Sequence, residues 1–236
     1  MKTVAVVKVG GVLLEEAAAA VARIRDVQTD SLVVVHGGGV QITRMLERMN
    51  VQSQFIDGLR VTDEVTLKGV AAALMGEVHT SLVAALQGAG LHAFGLFGAV
   101  RADKKSGPWG LVGTSVRVDG QTLQGMLKMG LIPVIPTLAI GETSLLNVNG
   151  DETAAAVALT LRANKLVFLT DVEGVRDGTG ATIDRVPRGL SLLNAPFVSG
   201  GMTPKLRAVE AALSGGVHTV WVGRTVFEGT YDNPAG

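Results

Sequence analysis

Apolar runs and helical periodicities alternate along almost the whole chain. Val4–Val7, Leu32–Val35, His92–Phe97, Leu131–Pro136, Leu166–Thr170 and Thr219–Val222 are short, mostly apolar runs. Runs without polar alternation read as strands buried on both faces, the habit of parallel sheets. Pro133 inside one of them points to the start of a strand or an irregular one. Helical spacing follows in Glu15–Asp26 (Val21 and Ile24 inward), Gln41–Met49 (Ile42, Met45, Leu46, Met49), Glu64–Gln87, Thr122–Met129 and Ala154–Ala163. A last helix should begin at Pro204 with Thr203 as its N-cap and stop at Gly215. Val112–Val118 reads as half of a hairpin, and residues 181–199 as irregular. Strand and helix in alternation predict an α/β protein: three layers, αβα, around an open, mainly parallel sheet.

The helix Glu64–Gln87 has few charges. Leu67, Val70, Ala71, Leu74, Val78 and Leu82 form a stripe, with Gly69, Ala72, Ala73, Gly76 and Val83 off it. A helix apolar around most of its circumference needs cover on two sides. The sheet supplies one; a second subunit or the interior of a monomer supplies the other, and a homodimer is the expectation. No apolar stretch is expected to reach transmembrane length.

Composition narrows the function. Lys+Arg and Asp+Glu are both 21, for a formal net charge of zero, which argues against nucleic acid or an anionic membrane as the main partner. There is no cysteine, hence no disulfide framework and no thiolate chemistry. Lys8 interrupts the opening apolar run too early for a signal peptide, so a cytoplasmic protein is expected. The 31 glycines cluster at the ends of apolar runs, where loops would meet a ligand.

The most informative cluster is Gly37-Gly38-Gly39, set between the Leu32–Val35 strand and the helix from Gln41. Glycines let backbone N–H groups approach a ligand, and a helix N-terminus behind them carries partial positive charge, so this layout suits an anion. Lys8, before Gly10 and Gly11, lies at the carboxyl end of its strand, where open α/β sheets bind ligands; a surface lysine would look the same. Arg60, in a loop opened by Gly58, has a guanidinium suited to a carboxylate or to a surface ion pair. Asp151 follows Asn147, Asn149 and Gly150, and is either a helix cap or part of a polar loop facing a cleft. Lys205, in the first turn of a helix, adds its charge to the positive end of the helix dipole, a locally unfavourable place that suggests an anion in front of it.

A P-loop and a nucleophile elbow are excluded, and a dinucleotide fold is weakened. No G-x-x-x-x-G-K-[ST], G-x-G-x-x-G or G-x-S-x-G motif occurs. His36, His79, His92 and His218 show no paired metal spacing. Glycine-rich helix starts with lysines, an arginine and an aspartate suit phosphoryl transfer, where a protein mainly positions and neutralises charge.

Lys8-Val9-Gly10-Gly11, His36-Gly37-Gly38-Gly39, Gly58-Leu59-Arg60-Val61-Thr62, Asn147-Val148-Asn149-Gly150-Asp151, Leu169-Thr170-Asp171-Val172-Glu173-Gly174-Val175 and Gly201-Met202-Thr203-Pro204-Lys205 occur in that order. In this series the chain resembles the acetylglutamate kinases of the amino acid kinase family, over nearly its whole length. The resemblance implies the carbamate-kinase-like sheet, with residues 1–162 as an amino-acid-binding, dimerising lobe and 163–236 as an ATP-binding lobe on one continuous sheet. It implies ATP and N-acetyl-L-glutamate as substrates in arginine biosynthesis, with Mg2+ carried on the ATP phosphates and no metal held directly by the protein. Lys8 would hold the transferring phosphoryl group, Lys205 the ATP phosphates, and Asp151 both lysines. Gly38 and Gly39 would bind phosphoryl group and acceptor through N–H groups, with Gly10, Gly11 and Gly37 in the phosphate site. Arg60 would clamp the α-carboxylate and Asn147 the acetamido side. Asp171, Val172, Gly174, Val175, Arg176, Phe197 and Ser199 would line the nucleotide pocket.

Two departures fall in one loop: Gly150, where the family commonly has alanine, and Glu152. Arg101, Lys104 and Lys105 keep open a kinase of carrier-protein-bound aminoadipate or glutamate, and a non-catalytic amino acid or nucleotide sensor is the reading from another class. In the family, arginine-inhibited enzymes carry an extra helix before the first strand. Here Met1-Lys2-Thr3 runs straight into Val4–Val7, so strong arginine inhibition is not expected.

Overall fold

The computed structural model describes residues 2–229; Met1 and residues 230–236, at the ends of the two expected lobes, lie outside it. The chain runs β1 (Val4–Val9), α1 (Ala17–Arg25), β2 (Ser31–His36), α2 (Gly39–Arg48), the small hairpin β3 (Phe55–Ile56) and β4 (Leu59–Arg60), then the long α3 (Glu64–Gly88). Next come β5 (Ala93–Gly95), β6 (Val100–Lys104), β7 (Gly113–Val118), α4 (Gly120–Lys128), β8 (Ile132–Pro136), β9 (Leu138–Ile140) and β10 (Leu145–Asn147). The rest comprises α5 (Gly150–Thr160), β11 (Lys165–Leu169), β12 (Arg185–Val186), α6 (Met202–Ser214), β13 (Thr219–Val222) and β14 (Thr225–Glu228).

Eight of these strands form one sheet in the order β12-β14-β13-β11-β1-β2-β8-β5, parallel except around β14 and β12. Side chains alternate across it. Val6, Val33, Val35, Leu166 and Phe168 pack into a core under α5 and α6. Val7, Val34, Val167 and Leu169 pack into the opposite core with Ala20, Val21 and Ile24 of α1 and Leu82 and Leu86 of α3. Both faces are therefore dry, and each fully buried Val, Leu or Phe contributes about 1.5–3 kcal/mol relative to exposure. This is the three-layer αβα arrangement the apolar runs predict. Pro133 is the second residue of β8, and the β2 ladder begins only at Val134, so its missing N–H interrupts no bond to β2.

A separate sheet, β10-β9-β6-β7, stands over the carboxyl end of β8. The hairpin β9–β10 and strands β12 and β14 are absent from the sequence reading. Their runs of two to four residues are too short for a periodicity to show.

The helix α3 departs from expectation twice. Its 25 residues do reach the length and apolar composition of a membrane span, contrary to the expectation from sequence. Its face is nevertheless half covered by protein: Val70, Ala73, Leu74, Val78, Leu82 and Leu86 are buried on α2 and the sheet. The buried stripe also differs from the expected one. Residues Ala72–His79 wind as a π-helix, and the wider turn rotates later residues around the axis. Before that segment Thr66, Gly69 and Val70 already face inward, followed by Ala73 at ordinary helical spacing, while the expected Leu67 and Ala71 are half-buried. Gly69 is needed there, since a Cβ would stand 2.5 Å from Leu46 Cδ2.

Candidate active site

Strand register brings the chemistry together. Val9 pairs with His36 on one side and Leu169 on the other, and His36 pairs with Pro136. The loops leaving β1, β2, β8 and β11 thus start side by side at the carboxyl edge of the sheet, the ligand side of open α/β folds. A cleft of about 280 Å³ opens there, lined by Lys8, Gly10, Gly11, Gly37, Gly38, Gly39, Ile42, Phe55, Gly58, Leu59, Arg60, Val112, Thr137, Asn147, Val148, Asn149 and Gly150. It lies near the lower end of the usual ligand-pocket range, roughly 300–1,000 Å³, and suits a small molecule.

Beside the cleft lies a buried ionic bridge. Lys8 Nζ is 2.9 Å from Asp151 Oδ1, and Lys205 Nζ is 3.0 Å from Asp151 Oδ2. One carboxylate thus spaces two ammonium groups from opposite ends of the chain. Burial alone would raise the Asp151 pKa, but Lys8 and Lys205 outweigh it and hold the carboxyl below its ordinary value. Burial lowers the Lys205 pKa, against the pull of Asp151. Lys205 also lies over the Phe168 ring at 5.0 Å. The trio carries a net positive charge in a poorly hydrated place, which an anion would relieve.

Asp151 is not the helix cap. Asn149 caps α5, its Oδ1 accepting from the N–H groups of Asp151 (2.8 Å) and Glu152 (3.1 Å), which frees the Asp151 carboxylate for the lysines. Gly150 leaves room for Lys8: a Cβ there would meet Lys8 Cε at 3.0 Å. Glu152 fits without disturbing the cap. Thr203 is not a cap either. Gly201 precedes α6, which starts at Met202, so Pro204 is its third residue, and no side chain caps the helix. Among the described helices, α3, α4 and α5 are capped by Asp63, Asp119 and Asn149. The starts of α2 and α6 are not, nor is that of α1 at exposed Glu16. At α2 the free N–H donors open onto the cleft, and an anion would satisfy them.

Arg60 is buried at 7% exposure. Its Nη2 donates to Thr43 Oγ1 (2.8 Å) and to the Gly39 carbonyl (3.3 Å), its Nη1 to Ser53 Oγ, and its guanidinium lies over Phe55 at 4.7 Å. Burial lowers its pKa, and among the described residues no carboxylate pairs with it. A desolvated guanidinium without an acid partner has the chemistry to grip a carboxylate. Asn147 is oriented by Thr62. The Thr62 hydroxyl donates to the Arg60 carbonyl (2.8 Å), so it accepts from Asn147 Nδ2 (3.1 Å). Asn147 Oδ1 is left as an acceptor in the cleft lining.

The residues expected to hold a nucleotide follow β11 or precede α6. Asp171, Val172, Arg176 and Ser199 are exposed and Phe197 half-buried. Gly174 and Val175 are buried, and Val175 has both backbone groups taken, by Thr225 Oγ1 and the Ile183 N–H. Those two hold the turn in place. Thr43, Ser53, Thr62 and Thr137 belong to the site without having been foreseen. Lone hydroxyl residues carry no sequence signal, although Thr62 closes the Gly58–Thr62 motif.

The pattern that describes the amino acid kinase family matches residues 3–224. An acetylglutamate kinase of Acidobacterium capsulatum is 45% identical over 232 residues, 91% of this chain and 88% of that protein. One from Methanopyrus kandleri is 38% identical over 230 residues, 89% of this chain and 91% of that one. The solved structure of smu.665 from Streptococcus mutans UA159 matches with a TM-score of 0.87 and 28% identity, covering 96% of this chain and 99% of that chain.

Proposed function

This chain belongs to the amino acid kinase family, and on that premise we propose that it transfers the γ-phosphoryl group of ATP to the side-chain carboxylate of N-acetyl-L-glutamate. The products are ADP and N-acetyl-L-glutamyl 5-phosphate, a step of arginine biosynthesis. The observation that carries this reading is the unpaired, buried Arg60 in a cleft that also holds Lys8 of the ionic bridge. Such a cleft fits an acceptor with one carboxylate to be gripped and another to be phosphorylated.

The acceptor is already ionised at neutral pH, so no general base is needed. The barrier is the approach of one anion to another. Lys8 and the Gly38 and Gly39 N–H groups meet the transferring phosphoryl group, and Lys205 meets the ATP phosphates as charge moves toward the leaving oxygen. Asp151 keeps the lysines apart and aimed. Arg60 grips the α-carboxylate, and Asn147 Oδ1 accepts the acetamido N–H. Residues 163–236, through the turn from Asp171 to Arg176 and the segment of Phe197 and Ser199, hold the nucleotide, and residues 1–162 the amino acid. Mg2+ enters as the counter-ion of ATP.

An ADP-release assay with free N-acetylglutamate, glutamate and aspartate tests this. Acetylglutamate is expected to drive ADP release and to give an acyl phosphate trapped by hydroxylamine. Acyl phosphate from glutamate but not from its acetylated form would reject the assignment. A kinase of carrier-protein-bound aminoadipate or glutamate would instead leave free N-acetylglutamate unphosphorylated. The intact Lys8–Asp151–Lys205 bridge argues against a sensor.

The uncovered face of α3 supports a homodimer. Ala72, Gly76, Thr80 and Ala84 are exposed at four-residue spacing, and small side chains let a second helix approach closely. Light scattering at micromolar concentration should give twice the 24.4 kDa chain mass; a monomeric mass would end this proposal.

A further inference from the structure

Behind the triple glycine lies a histidine pair that the mechanism above does not use. His36 ends β2 at 0% exposure, and His79 ends the π-helical part of α3 at 7%. His36 Nε2 is 2.8 Å from His79 Nδ1, and His36 Nδ1 is 3.0 Å from the carbonyl oxygen of Gly37. Neither ring lines the cleft.

The proton positions follow from the partners. A carbonyl only accepts, so His36 Nδ1 carries a hydrogen. Burial holds His36 neutral, with a pKa lowered to about 3, so its Nε2 is bare and accepts from His79 Nδ1–H. The chain of donors therefore runs from His79 to His36 to the Gly37 carbonyl.

That carbonyl belongs to the peptide whose N–H is Gly38. The peptide is trans, so its C=O and N–H point in opposite directions. Fixing the carbonyl toward the core aims the Gly38 N–H the other way. The preceding peptide is held as well, because the Gly37 N–H donates to the Val9 carbonyl at 3.0 Å. Glycines turn over readily, having no Cβ to forbid either orientation. A competitor lies close by: the Gln41 amide is 2% exposed, neither of its polar atoms has a partner, and its Oε1 is 3.8 Å from where a Gly38 Cβ would be. An orphaned buried amide beside the loop would reward a turned-over glycine peptide.

We propose that His36 and His79 are positioning residues that lock the Gly37–Gly38 peptide so that the Gly38 N–H faces the transferring phosphoryl group. The inference rests on the phosphoryl-transfer reading of the cleft. Its test separates the two by combining kinetics with nuclear magnetic resonance. In the wild-type protein, 15N-histidine spectra should show His36 and His79 both protonated on Nδ1. His36→Leu should lower kcat by about 10–100-fold, the effect of a misplaced group, with little change in the KM for acetylglutamate. In 15N-glycine spectra its Gly38 amide should lose the shift that the wild type shows with Mg·AMP-PNP. His36→Asn, which keeps a donor near the Nδ1 position, should recover most of kcat, and His79→Leu should show a weaker form of the same defect. A folded His36→Leu with wild-type kcat, a defect that asparagine does not repair, or an Nε2-protonated His36 would overturn the proposal. Should His36→Leu not fold, the wild-type tautomers and His79→Leu decide it. Wild-type protein that makes no acyl phosphate would refute the kinase reading, and the Gly38 and histidine spectra would still judge this one.

Discussion

Lys205→Ala and Lys8→Ala are each expected to lower kcat by roughly 10²–10³-fold, with a much smaller change in either KM, because each removes a preorganised cationic donor from charge that redistributes in the transition state. The bridge explains why the losses should not simply add. Both lysines share the Asp151 carboxylate, at 2.9 and 3.0 Å. Removing one leaves Asp151 fully engaged with the other, which draws the survivor out of place, so the double variant should lose less than the product of the single effects. Steady-state kinetics with each substrate saturated in turn measures this. A rise in KM at unchanged kcat would contradict the roles given to the lysines.

Arg60→Ala should act on the other term, raising the KM for acetylglutamate by about 10–100-fold while kcat falls less, as expected for losing a charged hydrogen-bonding contact of roughly 1.5–3 kcal/mol. Arg60 also braces the start of α2 through Thr43 and the Gly39 carbonyl, so alanine could loosen the glycine loop. Arg60→Lys separates the effects. It keeps the charge but loses the planar fork, so it should still bind acetylglutamate poorly while the ATP KM stays near wild type. A lysine variant with normal acetylglutamate KM would show that Arg60 supplies charge and not shape.

Much of this was legible in the chain because glycines and lysines at strand ends leave a local mark. The triple glycine, the Lys8–Gly11 stretch and Lys205 in the first turn of a helix each read as a place for an anion. What hid was whatever depends on distant partners. Asp151 reads equally as a cap or as a cleft residue; the cap is Asn149, two residues earlier, and the lysines that claim Asp151 come from β1 and α6. The burial of Ala73 in place of Ala71 continues a face set by Thr66, Gly69 and Val70, and on a helix this apolar the pattern alone does not say which face meets the core. Nothing local marks His36 as one of a pair, since its partner His79 lies 43 positions away. The hairpin β9–β10 escaped because its strands of three residues each take their shape from pairing and not from pattern.

The neighbours of β1 have a consequence for how the protein is made. On one side β1 meets β2, translated soon after it; on the other it meets β11, where Ala5 pairs with Lys165. At synthesis rates of roughly 5–20 residues per second, about 7–27 seconds separate the two partners. For that interval the nascent chain carries an apolar central strand with one bare edge, the kind of edge that invites adhesion to other chains. Lys8 waits for Lys205 as well, so no shorter fragment of the chain holds the charge-bearing centre. The middle of the sheet is therefore closed only once the C-terminal third has been made.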